Sequence, residues 1–167
     1  NIPKTGAAIS VANHTSGIDW GLIQAGSSRT MRMVINQSAF KIWYLNHFFR
    51  WIKLIPINRN QPSNGMKAIQ QALEEGDMVC IFAEGHLSPN GQLNPLYSGF
   101  ERMVQQTPCP IIPVYTHGLW RGPRSLAPAR THRPAALRNR NITVCFGPAL
   151  PSTTQTAEAT QAINALA

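Results

Sequence analysis

Acidic side chains are scarce in this chain: seven Asp and Glu stand against fifteen Lys and Arg among 167 residues, a formal charge of +8. That imbalance disfavours cationic partners and favours anionic ones, whether nucleic acid, an anionic membrane surface or an acidic protein. Cysteine is scarce too. Cys80, Cys109 and Cys145 form no CxxC pair, which argues against a disulfide framework and the common zinc and redox spacings. Cys80 and Cys145 lie in the apolar runs 78–82 and 142–146, so buried free thiols in a reducing compartment are expected. Long apolar runs are missing as well. No stretch approaches the roughly 18 charge-free apolar residues of a spanning helix. Residues 1–12 lack the basic start and apolar centre of a signal peptide. The chain opens without Met and enters a strand almost at once. A single domain over 1–167, cut from a longer membrane-associated protein, is the expectation.

The basic excess is concentrated, with six arginines in residues 121–140. Binding of single-stranded nucleic acid would call for aromatics interleaved with those charges. The stretch holds none, so no nucleic-acid partner is expected. An anionic membrane surface, an acidic carrier protein or a merely solvated loop remain.

Apolar runs and amphipathic windows alternate. Strands are expected at 7–12, 31–35, 54–57, 78–82, 111–115 and 142–146, with helices at 16–25, 63–75, 98–106 and 155–166. Ser16 and Asp19 fit an S-x-x-D cap at the first helix, and Ser98 is expected to cap another. Pro56 puts the 54–57 strand at an edge. Residues 85–96 read as turns, tightest at Pro89-Asn90-Gly91. In 39–52, Phe40, Trp43, Tyr44, Phe48, Trp51 and Ile52 recur at helical spacing among Lys41, Arg50 and Lys53. This fits either a helix in a lipid interface or a core helix. The expected class is α/β: a mostly parallel or mixed central sheet flanked by helices.

The first chemistry-bearing motif is Asn13-His14-Thr15-Ser16-Gly17-Ile18-Asp19. Five positions of a regular helix would turn His14 and Asp19 about 140° apart. They converge only if His14 lies in the turn before the helix. A carboxylate on one ring nitrogen fixes the tautomer and leaves the other as a base. With no nucleophile of its own, the pair would act on a hydroxyl supplied by a substrate. Taken alone, the spacing is a weak signal and fits a strand-end histidine with a local hydrogen bond better.

Three more blocks follow in order: Leu54-Ile55-Pro56-Ile57-Asn58-Arg59, Phe82-Ala83-Glu84-Gly85-His86-Leu87-Ser88 and Ile111-Ile112-Pro113-Val114. Together with the first they resemble the four motifs of the glycerolipid acyltransferase family, the lysophosphatidate-acyltransferase group, over about residues 8–118. The resemblance implies a glycerolipid acyltransferase-like fold. It implies His14 as general base on the acceptor hydroxyl and Asp19 as its orienting group. It implies Arg59 at the acceptor phosphate, Glu84 and Gly85 shaping the acceptor site, and Pro113 in a structural role. The third block departs from the family's F-P-E-G-T-R-S: Ala83 stands for Pro, and His86 and Leu87 for Thr-Arg. A lost arginine removes a charge-assisted phosphate contact worth about 1.5–3 kcal/mol. One cation fewer suits a phosphodiester lysophospholipid better than lysophosphatidate, unless His86 replaces the contact.

The implied reaction moves a fatty acyl group from acyl-CoA or acyl carrier protein to the lysolipid. It needs no cofactor, metal or acyl-enzyme. It would take place at the cytoplasmic face of a membrane, with the basic stretch docking the carrier or anionic lipid. A serine hydrolase would carry a G-x-S-x-G elbow, which is missing. A zinc site from His14, Glu84 and His86 lacks ligand spacing. A non-catalytic lipid-binding or scaffold domain of the same fold is the alternative.

Overall fold

Strand β1 (Ala8–Ala12) has all five residues buried, as a strand covered by helices on both faces must. β2 (Met31–Asn36), β3 (Ile55–Ile57), β4 (Met78–Ile81), β5 (Ile111–His117) and β6 (Thr143–Phe146) complete a six-stranded sheet of order β3-β2-β4-β1-β5-β6. A computed structural model describes residues 1–41, 43–58, 60–122, 124–126 and 141–167. Arg59 and most of the basic stretch, 127–140, lie outside the described residues. The first five strands are parallel, and β6 pairs antiparallel with β5. The expected mostly parallel α/β sheet is thus present, with β3 and its Pro56 at an edge.

Helices α1 (Asp19–Gly26) and α2 (Trp43–Trp51) cover one face, and α3 (Ser63–Glu74), α4 (Gly99–Gln106) and α5 (Thr156–Asn164) the other. On the α3 side Ile69, Leu73, Phe100 and Ile163 seal the sheet; on the α1 side Ile23, Met31, Met33 and Phe49 do. Each such buried side chain contributes about 1.5–3 kcal/mol. Gly76 ends α3 with φ +81°, a conformation glycine adopts without steric cost.

Several expectations need correction. The first helix begins at Asp19, not Ser16, because residues 15–18 wrap as a loop around the Asp19 carboxylate. The S-x-x-D box is half made: Asp19 reaches back to the Ser16 N–H at 2.9 Å, while the Ser16 hydroxyl accepts from Ile18 at 3.3 Å. The 39–52 segment is not one helix but a 3₁₀ helix, Gln37–Lys41, followed by α2. The change of pitch lets Phe40 and Phe49 both pack inward, with ring centroids 5.5 Å apart, while Trp43 and Trp51 stay exposed. Ser98 stands at the N-cap of α4 without a side-chain cap bond. Cys80 and Cys109 are buried free thiols, and Cys145 is free but only half-buried. Burial, then the nearby Asp19 charge, pushes the Cys80 thiol up to about 12. Burial pushes Cys109 up to about 11. No helix among the described residues is long and apolar enough to cross a membrane.

Candidate active site

In a parallel sheet, loops at the carboxyl ends of the strands gather at one edge, where sites form. β1 and β4 end side by side there. Asn13 closes β1: its Oδ1 accepts from the Thr116 N–H at 2.7 Å and its Nδ2 donates to the Thr116 carbonyl at 3.2 Å. This side-chain amide replaces a rung of the sheet ladder and locks the chain before it turns.

His14 follows, with its backbone held on both sides. Its N–H donates to Glu84 Oε1 at 2.6 Å, and its carbonyl accepts from the Ser88 N–H at 2.7 Å. Its ring stacks on Phe82, centroids 4.1 Å apart and planes 21° from parallel. Its Nδ1 lies 2.9 Å from Asp19 Oδ2, and the His14 side chain keeps 20% of its surface exposed while that of Asp19 has none. The carboxylate oxygen only accepts, so Nδ1 carries the proton and the lone pair falls on Nε2. The same Oδ2 accepts from the Thr15 and Ser16 N–H groups at 2.7 and 2.9 Å. Asp19 also heads α1, where its charge meets the positive end of the helix dipole. Asp19 Oδ1 and Thr15 Oγ1 are buried without a hydrogen-bond partner among the described residues.

Gly85 turns back on the Phe82 carbonyl at 3.0 Å with φ +69°, which directs the preceding Glu84 inward. Glu84 is fully buried. Its Oε2 accepts from the Asn94 N–H at 2.8 Å and from Asn94 Nδ2 at 2.6 Å. Both its oxygens are therefore taken up by the protein, and it acts on the site by fixing His14 and the turn that carries Asn94. His86 is exposed, with Nδ1 3.1 Å from the Leu87 carbonyl. The structure thus brings His14, Asp19, Glu84 and Gly85 together and leaves His86 at the rim; Arg59 lies outside the described residues. Sequence reasoning missed Phe82 and Asn94. Both lie far from His14 along the chain, and Phe82 stood in the third block with no role attached. It also missed the contact of Gly17 with Arg124, whose carbonyl accepts the Gly17 N–H at 3.2 Å. Arg124 holds φ +57°, an unusual conformation for a side-chain-bearing residue, and sets an exposed cation against the His14–Asp19 loop.

Burial raises the Glu84 carboxyl above its ordinary value of 4.5, although hydrogen bonds from Asn94 and His14 pull the other way. A group that holds its proton more tightly when folded stabilises the fold fully below 4.5, and that contribution fades as pH rises through the raised value. Glu84→Gln carries no such titration. The stability gap between wild type and Glu84→Gln, measured by urea unfolding, is therefore expected to narrow as pH rises from 4 toward neutrality. A gap that widens over that range would show the hydrogen bonds outweighing burial.

Among the described residues no three His, Cys, Asp or Glu side chains are grouped as metal ligands. The model of the Acyltransferase family matches residues 1–117. The 1-acyl-sn-glycerol-3-phosphate acyltransferase of Limnanthes alba is 29% identical over 128 residues, 68% of this chain and 43% of its own length. The Dictyostelium discoideum protein Taffazin is 28% identical over 129 residues, 66% of this chain and 45% of its own. The chain thus spans less than half the length of these relatives. The crystal structure of the 1-acyl-sn-glycerophosphate (LPA) acyltransferase PlsC from Thermotoga maritima superposes with a TM-score of 0.73 over 99% of this chain and 65% of that one, at 19% identity. At that identity the likeness is one of fold.

Proposed function

From the premise that the chain belongs to the acyltransferase family, we propose that it transfers a fatty acyl group from a thioester to the free hydroxyl of a lysophosphatidate or related lysophospholipid. The observation that carries this is the 2.9 Å His14–Asp19 contact at the carboxyl edge of the sheet, with Nε2 left as the basic nitrogen. The acceptor oxygen attacks the thioester carbonyl carbon as its proton passes to Nε2. Asp19 stabilises the imidazolium that forms. The tetrahedral oxyanion collapses, the C–S bond breaks, and His14 returns the proton to the leaving thiolate. No acyl-enzyme, metal or cofactor takes part. The Gly85 and Ser88 amides already bond to the Phe82 and His14 carbonyls, so they are not among the oxyanion donors. The thiol carrier is coenzyme A or acyl carrier protein.

The name of the Limnanthes alba relative supports lysophosphatidate as the acceptor. Leu87, in place of the family's arginine, favours a second reading: a phosphodiester lysolipid such as lysophosphatidylethanolamine. Arg59, Arg124 and His86 are the side chains assigned to the acceptor phosphate. The test is a panel of lysolipids against acyl-CoA and acyl carrier donors, read as free thiol released. Lysolipid-dependent thiol release is the expected result. A clear preference for lysophosphatidate discards the second reading. Lipid binding with no lysolipid-dependent release from any donor discards the enzyme in favour of a lipid-binding scaffold.

A further inference from the structure

We propose that the outward face of α2 seats the protein on the surface of an anionic bilayer. Trp43 and Trp51 are 81% and 78% exposed and Phe48 44%, unusual values for aromatic side chains. At about 100° per residue these three rings span roughly 140° of the helix, and Phe49 points the opposite way into the core. Phe48 and Trp51 sit side by side, centroids 6.2 Å apart. Exposed Lys41, Arg50 and Lys53 flank them. The sequence holds no Asp or Glu between Asp19 and Glu74, so no carboxylate from this long segment opposes an anionic surface. Exposed aromatics rimmed by cations match the chemistry of an anionic lipid interface, where rings sit at headgroup depth and each nearby cation adds attraction.

The placement links this face to the proposed site. Ala8 and Met31 both register on Met78, so Asn13 stands level with Asn36. His14 and the 3₁₀ helix at Gln37 therefore leave the same edge of the sheet. Inside, Phe49 meets Trp20 edge-on at 6.3 Å, and Trp20 is the neighbour of Asp19. A bilayer met by α2 lies at the edge where a lipid acceptor must enter. The proposal goes beyond the acyl-transfer reading, because vesicle binding needs no turnover.

The test is partition of the chain between water and vesicles of phosphatidylcholine, alone or mixed with phosphatidylglycerol. The wild type is expected to prefer the anionic vesicles, and added salt to weaken that preference. Trp43→Ser with Trp51→Ser is expected to lower partition by about tenfold or more as two rings lose their apolar contact. Lys41→Gln with Arg50→Gln is expected to reduce the anionic preference. Unfolding midpoints should move little, since most of each tryptophan side chain is exposed. Brominated acyl chains are expected to quench wild-type fluorescence, a readout that needs no variant. Three results would overturn the proposal: unchanged partition of the tryptophan variant, tryptophan-dependent self-association without lipid, or binding of an acyl carrier protein on this face with none to vesicles.

Discussion

His14→Ala is expected to cut acyl transfer by about 10²–10⁴-fold, the range of a positioned general base, and to leave the chain folded. The backbone explains both halves of that result. The bonds that hold residue 14 run from its own N–H to Glu84 and from the Ser88 N–H to its carbonyl, and alanine keeps both. What disappears is the ring stacked on Phe82 and bonded to Asp19, and with it the only nitrogen assigned to take the acceptor proton. Single-turnover transfer to a lysolipid measures the loss, and circular dichroism with urea unfolding checks the fold. Wild-type rates in the alanine variant would remove His14 from the mechanism. A large loss of stability would mean that the ring, not the backbone clamp, supports the loop.

The sequence made the sheet easy to read and the loops around it hard. Buried strands announce themselves as short apolar runs, and 78–82 and 111–115 needed nothing more. The 39–52 segment was legible only in part, because its aromatics are not confined to one face. Periodicity could not say that Phe49, rather than its neighbours, turns inward, since that depends on Trp20 from another helix. The site divides in the same way. His14 and Asp19 were legible because both lie in one short loop and three blocks followed in order. Phe82 and Asn94 were not, because their contacts with His14 and Glu84 arise where two parallel strands end together. Glu84 shows the limit of a motif most clearly. Resemblance gave it a part in shaping the acceptor site but not the means, which are the bonds of its two oxygens to His14 and Asn94.

The Asp19 variants separate charge from architecture. In Asp19→Asn the single acceptor oxygen must choose between two positions. At the Oδ2 position it still takes the Thr15 and Ser16 N–H groups; an NH₂ there would face those donors with donors of its own. The oxygen therefore stays at Oδ2, and the NH₂ takes the unpartnered Oδ1 position. His14 keeps its Nδ1 proton directed at an oxygen and so keeps its tautomer. In serine proteases the equivalent change costs about 10⁴ because the tautomer is wrong. Here only the negative charge behind the imidazolium is lost, and the expected fall in kcat is about 10²–10³, with little change in stability. Asp19→Ala removes the oxygen itself and leaves two buried backbone donors and Nδ1–H unpaired, at about 1–3 kcal/mol each. That variant is expected to lose several kcal/mol of stability along with its activity. Urea unfolding and the transfer assay on both variants decide the matter. If asparagine destabilises the chain as much as alanine does, the three donors do not share one oxygen. If asparagine falls to about 10⁻⁴ of the wild-type rate, the tautomer did flip, and the Thr15 and Ser16 amides do not hold it.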